Sequence, residues 1–117
     1  MPGTSPTLWL APLKGFTDAV FRRTFAEHFG GFDRAMAPFV TAVAAERLTD
    51  AHVRDLLPGA DGAVPLTPQI LGNAAEPFLA VAARLHELGY TEVNWNLGCP
   101  FRPVSKKRRG AGLLPFP

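Results

Sequence analysis

Two rhythms of apolar and polar positions alternate along the chain. Leu8-Trp9-Leu10-Ala11 is a short apolar run stopped by Pro12, the pattern of a buried strand. Thr17 or Asp18 can cap the helix that follows. In that helix, over residues 19–29, Val20, Phe21, Thr24, Phe25 and Phe29 recur at helical spacing while Arg22, Arg23 and Glu27 face elsewhere, and Gly30-Gly31 closes it. The next unit is less regular. A strand within residues 34–43 runs through Met36-Ala37-Pro38-Phe39-Val40, with Pro38 arguing against a fully paired central position. A helix over residues 44–57 places Ala45, Leu48, His52 and Leu56 roughly on one side, and a loop at 58–62 ends it. A third strand spans residues 66–71, closed by Gly72. Asn73 is the candidate N-cap of a helix over 74–88 whose apolar face is Phe78, Val81, Ala82, Leu85 and Leu88. Gly89 ends that helix, and residues 91–97 form a fourth strand.

Strands alternating with helices predict an α/β fold of parallel strands joined by helical crossovers. The (β/α)₈ barrel and the open doubly wound sheet both begin this way, and both place their chemistry at the carboxyl ends of the strands. Three of the four expected strand ends carry unusual residues: Pro12-Leu13-Lys14, Gln69, and the stretch from Asn94 to Cys99.

Composition narrows the class. With 117 residues, 47% hydrophobic and 19% charged, the chain is about one globular domain rather than a disordered one. The net charge of +2 does not by itself announce a nucleic-acid binder, but Lys106, Lys107, Arg108 and Arg109 are consecutive. One cysteine permits no internal disulfide, which fits a reducing cytosol. The first residues lack a basic segment followed by an apolar run, and no window approaches the roughly 20 apolar residues of a membrane span. A cytoplasmic chain that touches no membrane is expected.

The candidate chemistry gathers at Asn94-Trp95-Asn96-Leu97-Gly98-Cys99-Pro100. In an extended strand Asn94 and Asn96 share one face, and Val93, Trp95 and Leu97 share the other. The Trp and Leu face suits packing against helices, so the two carboxamides point inward, near Gln69 on the preceding strand. A buried, unpaired amide costs about 1–3 kcal/mol, so the three need partners. They can cap loops through the backbone, or they can meet the C=O and N–H edges of a planar heterocycle. Cys99 lies off the strand end between Gly98 and Pro100. It can be a small buried hydrophobe, or it can face a site. An ordinary thiol, with a pKa of about 8.5, is mostly protonated at neutral pH and can act as a general acid. As a nucleophile it would need a base, and His28, His52 and His86 all fall on expected helices away from the strand ends. The acid role is therefore favoured. One cysteine and three scattered histidines give no metal-ligand spacing, so no metal is expected. The basic run Lys106–Arg109 reads either as a solvated loop or as a phosphate contact at the mouth of the site.

These residues carry a resemblance. Ala11-Pro12-Leu13-Lys14-Gly15 with Thr17-Asp18 and Arg22, then Gln69-Ile70-Leu71-Gly72, then Asn94-x-Asn96-x-Gly98-Cys99-Pro100 with Val104 and Gly110-Ala111-Gly112-Leu113-Leu114, resemble the tRNA-dihydrouridine synthases. The match runs in order over nearly the whole chain, and the Asn-x-Gly-Cys-Pro block is its most specific part. The resemblance implies a TIM barrel holding FMN that reduces the C5–C6 double bond of particular uridines in tRNA. NADPH reduces the flavin, a hydride passes to C6, and the cysteine, here Cys99, protonates C5. It also implies cofactor contacts from Pro12, Leu13, Lys14, Gln69 and Asn96. Asn94 and the basic run Lys106, Lys107, Arg108 and Arg109 would lie on the substrate side. Leu13, Lys14 and Pro38 depart from the residues more usual in that family, and Lys14 is expected to reach solvent.

A complete barrel needs about 250 residues. The chain is therefore expected to be the N-terminal half of a TIM barrel, about four parallel strands, without the later flavin contacts or the helical tRNA-binding domain. Such a piece is expected to bind FMN weakly and to lack turnover, whereas the full-length enzyme would be a monomer. Two other readings remain: another FMN barrel reducing a free pyrimidine, as in dihydroorotate or dihydropyrimidine dehydrogenases, and a non-catalytic fragment.

Overall fold

Parallel pairing of short strands organises the chain in a computed structural model that describes residues 3–60, 62 and 64–116. Asp61 of the expected 58–62 loop lies outside the described residues. One three-stranded sheet has the order β1 (Trp9–Leu10), β2 (Arg34–Met36), β4 (Leu66–Thr67). A second has the order β3 (Val40–Thr41), β5 (Gln69–Leu71), β6 (Asn94–Trp95). Every neighbouring pair is parallel, with Leu10 opposite Ala35, Ala35 opposite Leu66, and Gln69 opposite Asn94. The expected α/β class with parallel strands is what forms.

Both expected inner strands are cut at a proline. Pro38 falls between β2 and β3 and Pro68 between β4 and β5, and each lacks the N–H that a continuous ladder needs. Contact persists across the cut, because the Ala37 N–H donates to the Thr67 carbonyl at 3.0 Å. The expected first and fourth strands shrink to two residues each, since each pairs on one side only. Leu8 and Trp9, read from their apolar run as buried, are exposed on that open flank, where the Arg34 guanidinium sits 4.7 Å from the Trp9 ring centre.

The described residues form four α-helices: α1 (Ala19–His28), α2 (Asp50–Val53), α3 (Ala75–Glu87) and α4 (Arg102–Ser105). Asp18 caps α1 as expected, accepting from the Phe21 N–H at 2.9 Å, and Gly30 takes the left-handed conformation just past its end. The expected burial of α1 is wrong. Val20, Phe21 and Phe29 are exposed, and the residue assigned to the outer side, Arg22, is wholly buried. The reason is a demand for donors: Arg22 Nη1 donates to the Thr17 carbonyl and Nη2 to the Asp55 carbonyl, both at 2.7 Å. The charged fork thereby satisfies backbone acceptors that burial would otherwise leave dry.

The expected helix over residues 44–57 is also wrong. It breaks into a 3-10 turn at Ala45–Arg47, the four residues of α2, and a second 3-10 turn at Arg54–Leu56. Thr49 and His52 account for the break, since their side chains form a capping box that starts a new helix in mid-segment. Ala45 and His52 are exposed, Leu56 is buried as expected, and Val53 enters the core beside it. By contrast α3 matches its pattern: Val81 and Leu85 are fully buried, with Phe78, Ala82 and Leu88 packed alongside. Its expected cap does not form. Ala74 is the N-cap, and Asn73 Nδ2 donates instead to the Lys107 carbonyl at 3.0 Å. The core lies between α3, α2 and the second sheet, with Ala37, Val40, Ala42, Val53, Leu56 and Ile70 as its other buried members. Each fully buried aliphatic side chain there contributes about 1.5–3 kcal/mol.

Candidate active site

A cleft of about 550 Å³ opens where the chain leaves β1, β2 and β6, with Gln69, the first residue of β5 rather than a strand end, in its wall. Its walls bring together Pro12, Leu13 and Lys14 after β1, Pro38 and Phe39 after β2, Gln69 of β5, and the stretch from Asn94 to Pro100. Seven of the eleven site candidates named from sequence line this one space: Pro12, Leu13, Lys14, Gln69, Asn94, Asn96 and Cys99.

The three amides form a chain of their own. Gln69 Nε2 donates to Asn94 Oδ1 at 2.8 Å and to Met36 Sδ at 3.2 Å, while Gln69 Oε1 accepts from Asn96 Nδ2 at 2.9 Å. The strand phase sets this up, because Gln69 stands opposite Asn94 in parallel register and Asn96 is two residues on, on the same face. Gln69, at 7% exposure, is thus buried with its partners supplied by the protein. On the opposite face Trp95 Nε1 donates to the Gly72 carbonyl at 3.0 Å, and its ring meets Phe78 of α3 edge-on at 5.7 Å, as the outward Trp face requires.

Asn96 has a second task that the sequence did not reveal. Its Oδ1 accepts from the Gly98 N–H at 3.1 Å and from the Cys99 N–H at 3.0 Å. One side chain therefore joins the amide chain to the turn that carries the thiol. The half-buried Cys99 lines the cleft. Among the described residues no histidine lines the cleft, and no three of His, Cys, Asp and Glu gather as metal ligands.

The loop after β1 is built to hold its backbone in place. Gly15 adopts φ of 84°, which favours glycine, and the Thr17 hydroxyl accepts from the Leu13 N–H at 2.8 Å. Lys14 reaches solvent as expected, but not freely. It is exposed, yet its Nζ donates to the Phe39 carbonyl at 3.0 Å and stands 5.1 Å from the centre of the Phe39 ring, so it crosses the cleft rim rather than trailing into solvent. Among the described residues it is the one charged side chain on the cleft wall.

The basic run does not line the cleft. Lys106, Lys107 and Arg108 are exposed after α4, and the Arg108 guanidinium lies 4.3 Å from the Phe116 ring centre. Arg109 is half-buried, its Nε without a hydrogen-bond partner among the described residues. Beside the cleft, across Trp95 and Leu97, lies a larger cavity of about 740 Å³ that sequence reasoning missed. Phe78, Leu113 and Phe116 help line it, and among the described residues no titratable side chain does.

Parallel strands joined by helices, with a cleft lined by three amides and a thiol, define an α/β protein with one polar candidate site. The profile of the Dihydrouridine synthase (Dus) family matches residues 9–117. The chain is 31% identical over 110 residues to a probable tRNA-dihydrouridine synthase of Staphylococcus epidermidis, covering 93% of this chain and 33% of that protein. It is 34% identical over 115 residues to the tRNA-dihydrouridine(16) synthase of Pseudomonas syringae, covering 92% and 35%. A probable tRNA-dihydrouridine synthase of Staphylococcus aureus is 30% identical over 110 residues. The chain belongs to the dihydrouridine synthase family, and it spans about a third of the length of these relatives.

Proposed function

We propose that the chain is the N-terminal half of a (β/α)₈ barrel that binds FMN and takes part in reducing uridine to dihydrouridine in tRNA in the cytoplasm. The observation that carries this reading is the convergence of Cys99 with Gln69, Asn94 and Asn96 in one cleft at the strand ends. The cleft falls within the roughly 300–1,000 Å³ of small-molecule sites, and its backbone walls and amides suit a flat heteroaromatic group. Pro12, Leu13 and Lys14 would hold the flavin from one side, and Gln69 and Asn96 from another. When bound, and reduced by NADPH, the flavin supplies the hydride.

The protein's own part is the proton. Asn96 holds the Cys99 backbone through two N–H groups and so sets where the thiol stands. With no imidazole on the cleft wall to take its proton, Cys99 donates one to C5 of the pyrimidine. Lys106, Lys107, Arg108 and Arg109 contact tRNA phosphates outside the cleft, where their attraction weakens with salt. With one flank of β1 and one of β6 unpaired, the 117-residue chain alone binds FMN weakly and does not turn over, while the whole enzyme acts as a monomer.

A chimera tests the reading. Residues 9–117 would replace the matching third of the Staphylococcus epidermidis relative, and dihydrouridine in tRNA would be measured by mass spectrometry. The chimera is expected to form dihydrouridine, and its Cys99→Ala variant to lose about 100-fold or more of the rate, the scale of a lost general acid. Equal rates for the two, with flavin bound in both, would remove Cys99 from the chemistry.

A further inference from the structure

Cys99 is gripped from a second direction, by a segment eleven residues further on. Gly110 has φ of 55°. A Cβ on it would lie 2.7 Å from the Cys99 carbonyl oxygen, 3.0 Å from Cys99 Cβ and 3.2 Å from the Cys99 nitrogen. Real Cβ atoms do not come this close to backbone, so only glycine lets the two chains touch here. The next residue completes the contact, since the Ala111 N–H donates to the Cys99 carbonyl at 3.0 Å. The far side is closed too: a Cβ on Gly112 would run into the Ser105 carbonyl, which anchors the 3-10 turn at Gly110–Leu113 against the end of α4.

We infer that Gly110 and Ala111 are positioning residues for Cys99, completing with Asn96 a clasp that holds the thiol-bearing turn from both sides. Asn96 takes the Gly98 and Cys99 N–H groups, and Ala111 takes the Cys99 carbonyl, so both polar groups of the Cys99 backbone are engaged. The functional weight of this inference rests on the proposed proton-donor role of Cys99. Its consequence reaches further. Gly110 directly follows Lys106–Arg109, so the cations proposed to meet phosphate and the thiol proposed to give the proton belong to one packed unit. RNA docking on the basic run therefore bears on where the thiol stands.

Because Cys99 is the only cysteine in the chain, its alkylation by iodoacetamide reads the clasp without flavin or RNA. The rate would be followed from pH 6 to 10 on the 117-residue chain, with folding checked by circular dichroism. Gly110→Ala drives the backbones apart. Ala111→Pro removes the donor and sets the ring Cδ against the Cys99 carbonyl, near the start of a helical turn where proline is tolerated, and serves if Gly110→Ala does not fold. Both are expected to speed alkylation about fivefold or more as the half-buried turn is released. Val81→Ala, a core change on α3, is expected to lower the melting temperature without that effect. A folded Ala111→Pro or Gly110→Ala chain alkylated at the native rate across the pH range overturns the inference. So does equal acceleration by Val81→Ala. Neither result depends on whether Cys99 is the proton donor, which the chimera tests separately.

Discussion

Helices α1 and α3 show the same amphipathic rhythm in sequence and meet opposite fates. In α3 the apolar stripe is buried: Val81 and Leu85 have no exposure, and Phe78 braces Trp95 at the edge of the cleft. In α1 the stripe faces outward. Phe21, Phe25 and Phe29 stack on one another along the helix at 5.7 and 5.2 Å, with Phe29 78% exposed, while Arg22 is buried. Periodicity identifies a helix, but which face is buried depends on what the chain lays against it. The second sheet covers α3. The α1 side carrying Arg22 is chosen instead by two carbonyls that need donors. Outside is left a row of three phenylalanines in ring contact, a contiguous apolar surface rather than scattered residues.

The sharpest way to break the comparison is to cut each helix at its buried centre. Leu85→Ala leaves a cavity in the α3 core and is expected to cost about 2–5 kcal/mol, measured by chemical denaturation. A loss below about 1 kcal/mol would mean that α3 is no better anchored than α1. Arg22→Ala is expected to come next, at about 2 kcal/mol, because it strips the Thr17 and Asp55 carbonyls of charged donors. It should also loosen the Leu13–Thr17 turn and with it Lys14, so backbone amide exchange of residues 13–17 is expected to quicken. If Arg22→Ala left stability and exchange unchanged, the buried guanidinium would be a passenger and α1 would be held by something else.

The same contrast explains what the sequence could and could not disclose about the site. Strand phase is local, so the inward pairing of Asn94 and Asn96 beside Gln69 was legible, as were the four-residue spacing of α3 and the Asp18 cap. The split of both inner strands was half legible: Pro38 and Pro68 announced missing donors, but not that each pass of chain would move from one sheet to another. What stayed hidden depends on approach between segments distant in the chain. The burial of Arg22 needs Asp55, 33 residues away, and the reach of Lys14 needs Phe39. The contact of Gly110 with Cys99 has no signature beyond a glycine among other glycines. The basic run was expected at the mouth of the site because it follows Cys99 in sequence, yet α4 carries it off the cleft wall and returns the chain only at Gly110.

A third cluster asks whether polar partners alone, without burial, anchor the strands as the Arg22 fork does. Arg34 of β2, Thr67 of β4 and Glu92, two residues before β6, bond one another: Thr67 Oγ1 donates to Glu92 Oε1 at 2.7 Å, and Arg34 Nη2 reaches both Thr67 and Glu92. The Thr67 hydroxyl first and the Arg34 charge second hold the Glu92 carboxyl below its ordinary value near 4.5. A depressed folded-state pKa means that the ionised form is favoured by folding. Its contribution is therefore complete above pH 4.5 and is lost as pH falls through the lower, folded value. Glu92→Gln should accordingly lower the melting temperature at pH 7 and lose that effect as the medium becomes strongly acidic, where the native carboxyl is protonated too. The difference at pH 7 is expected to be the smallest of the three, since Glu92 and Arg34 are open to solvent and water screens the pair. A loss at pH 7 as large as that of Arg22→Ala would reverse the lesson of the two helices. It would show that the number of hydrogen bonds, rather than their removal from water, decides what holds the strand ends beneath the cleft.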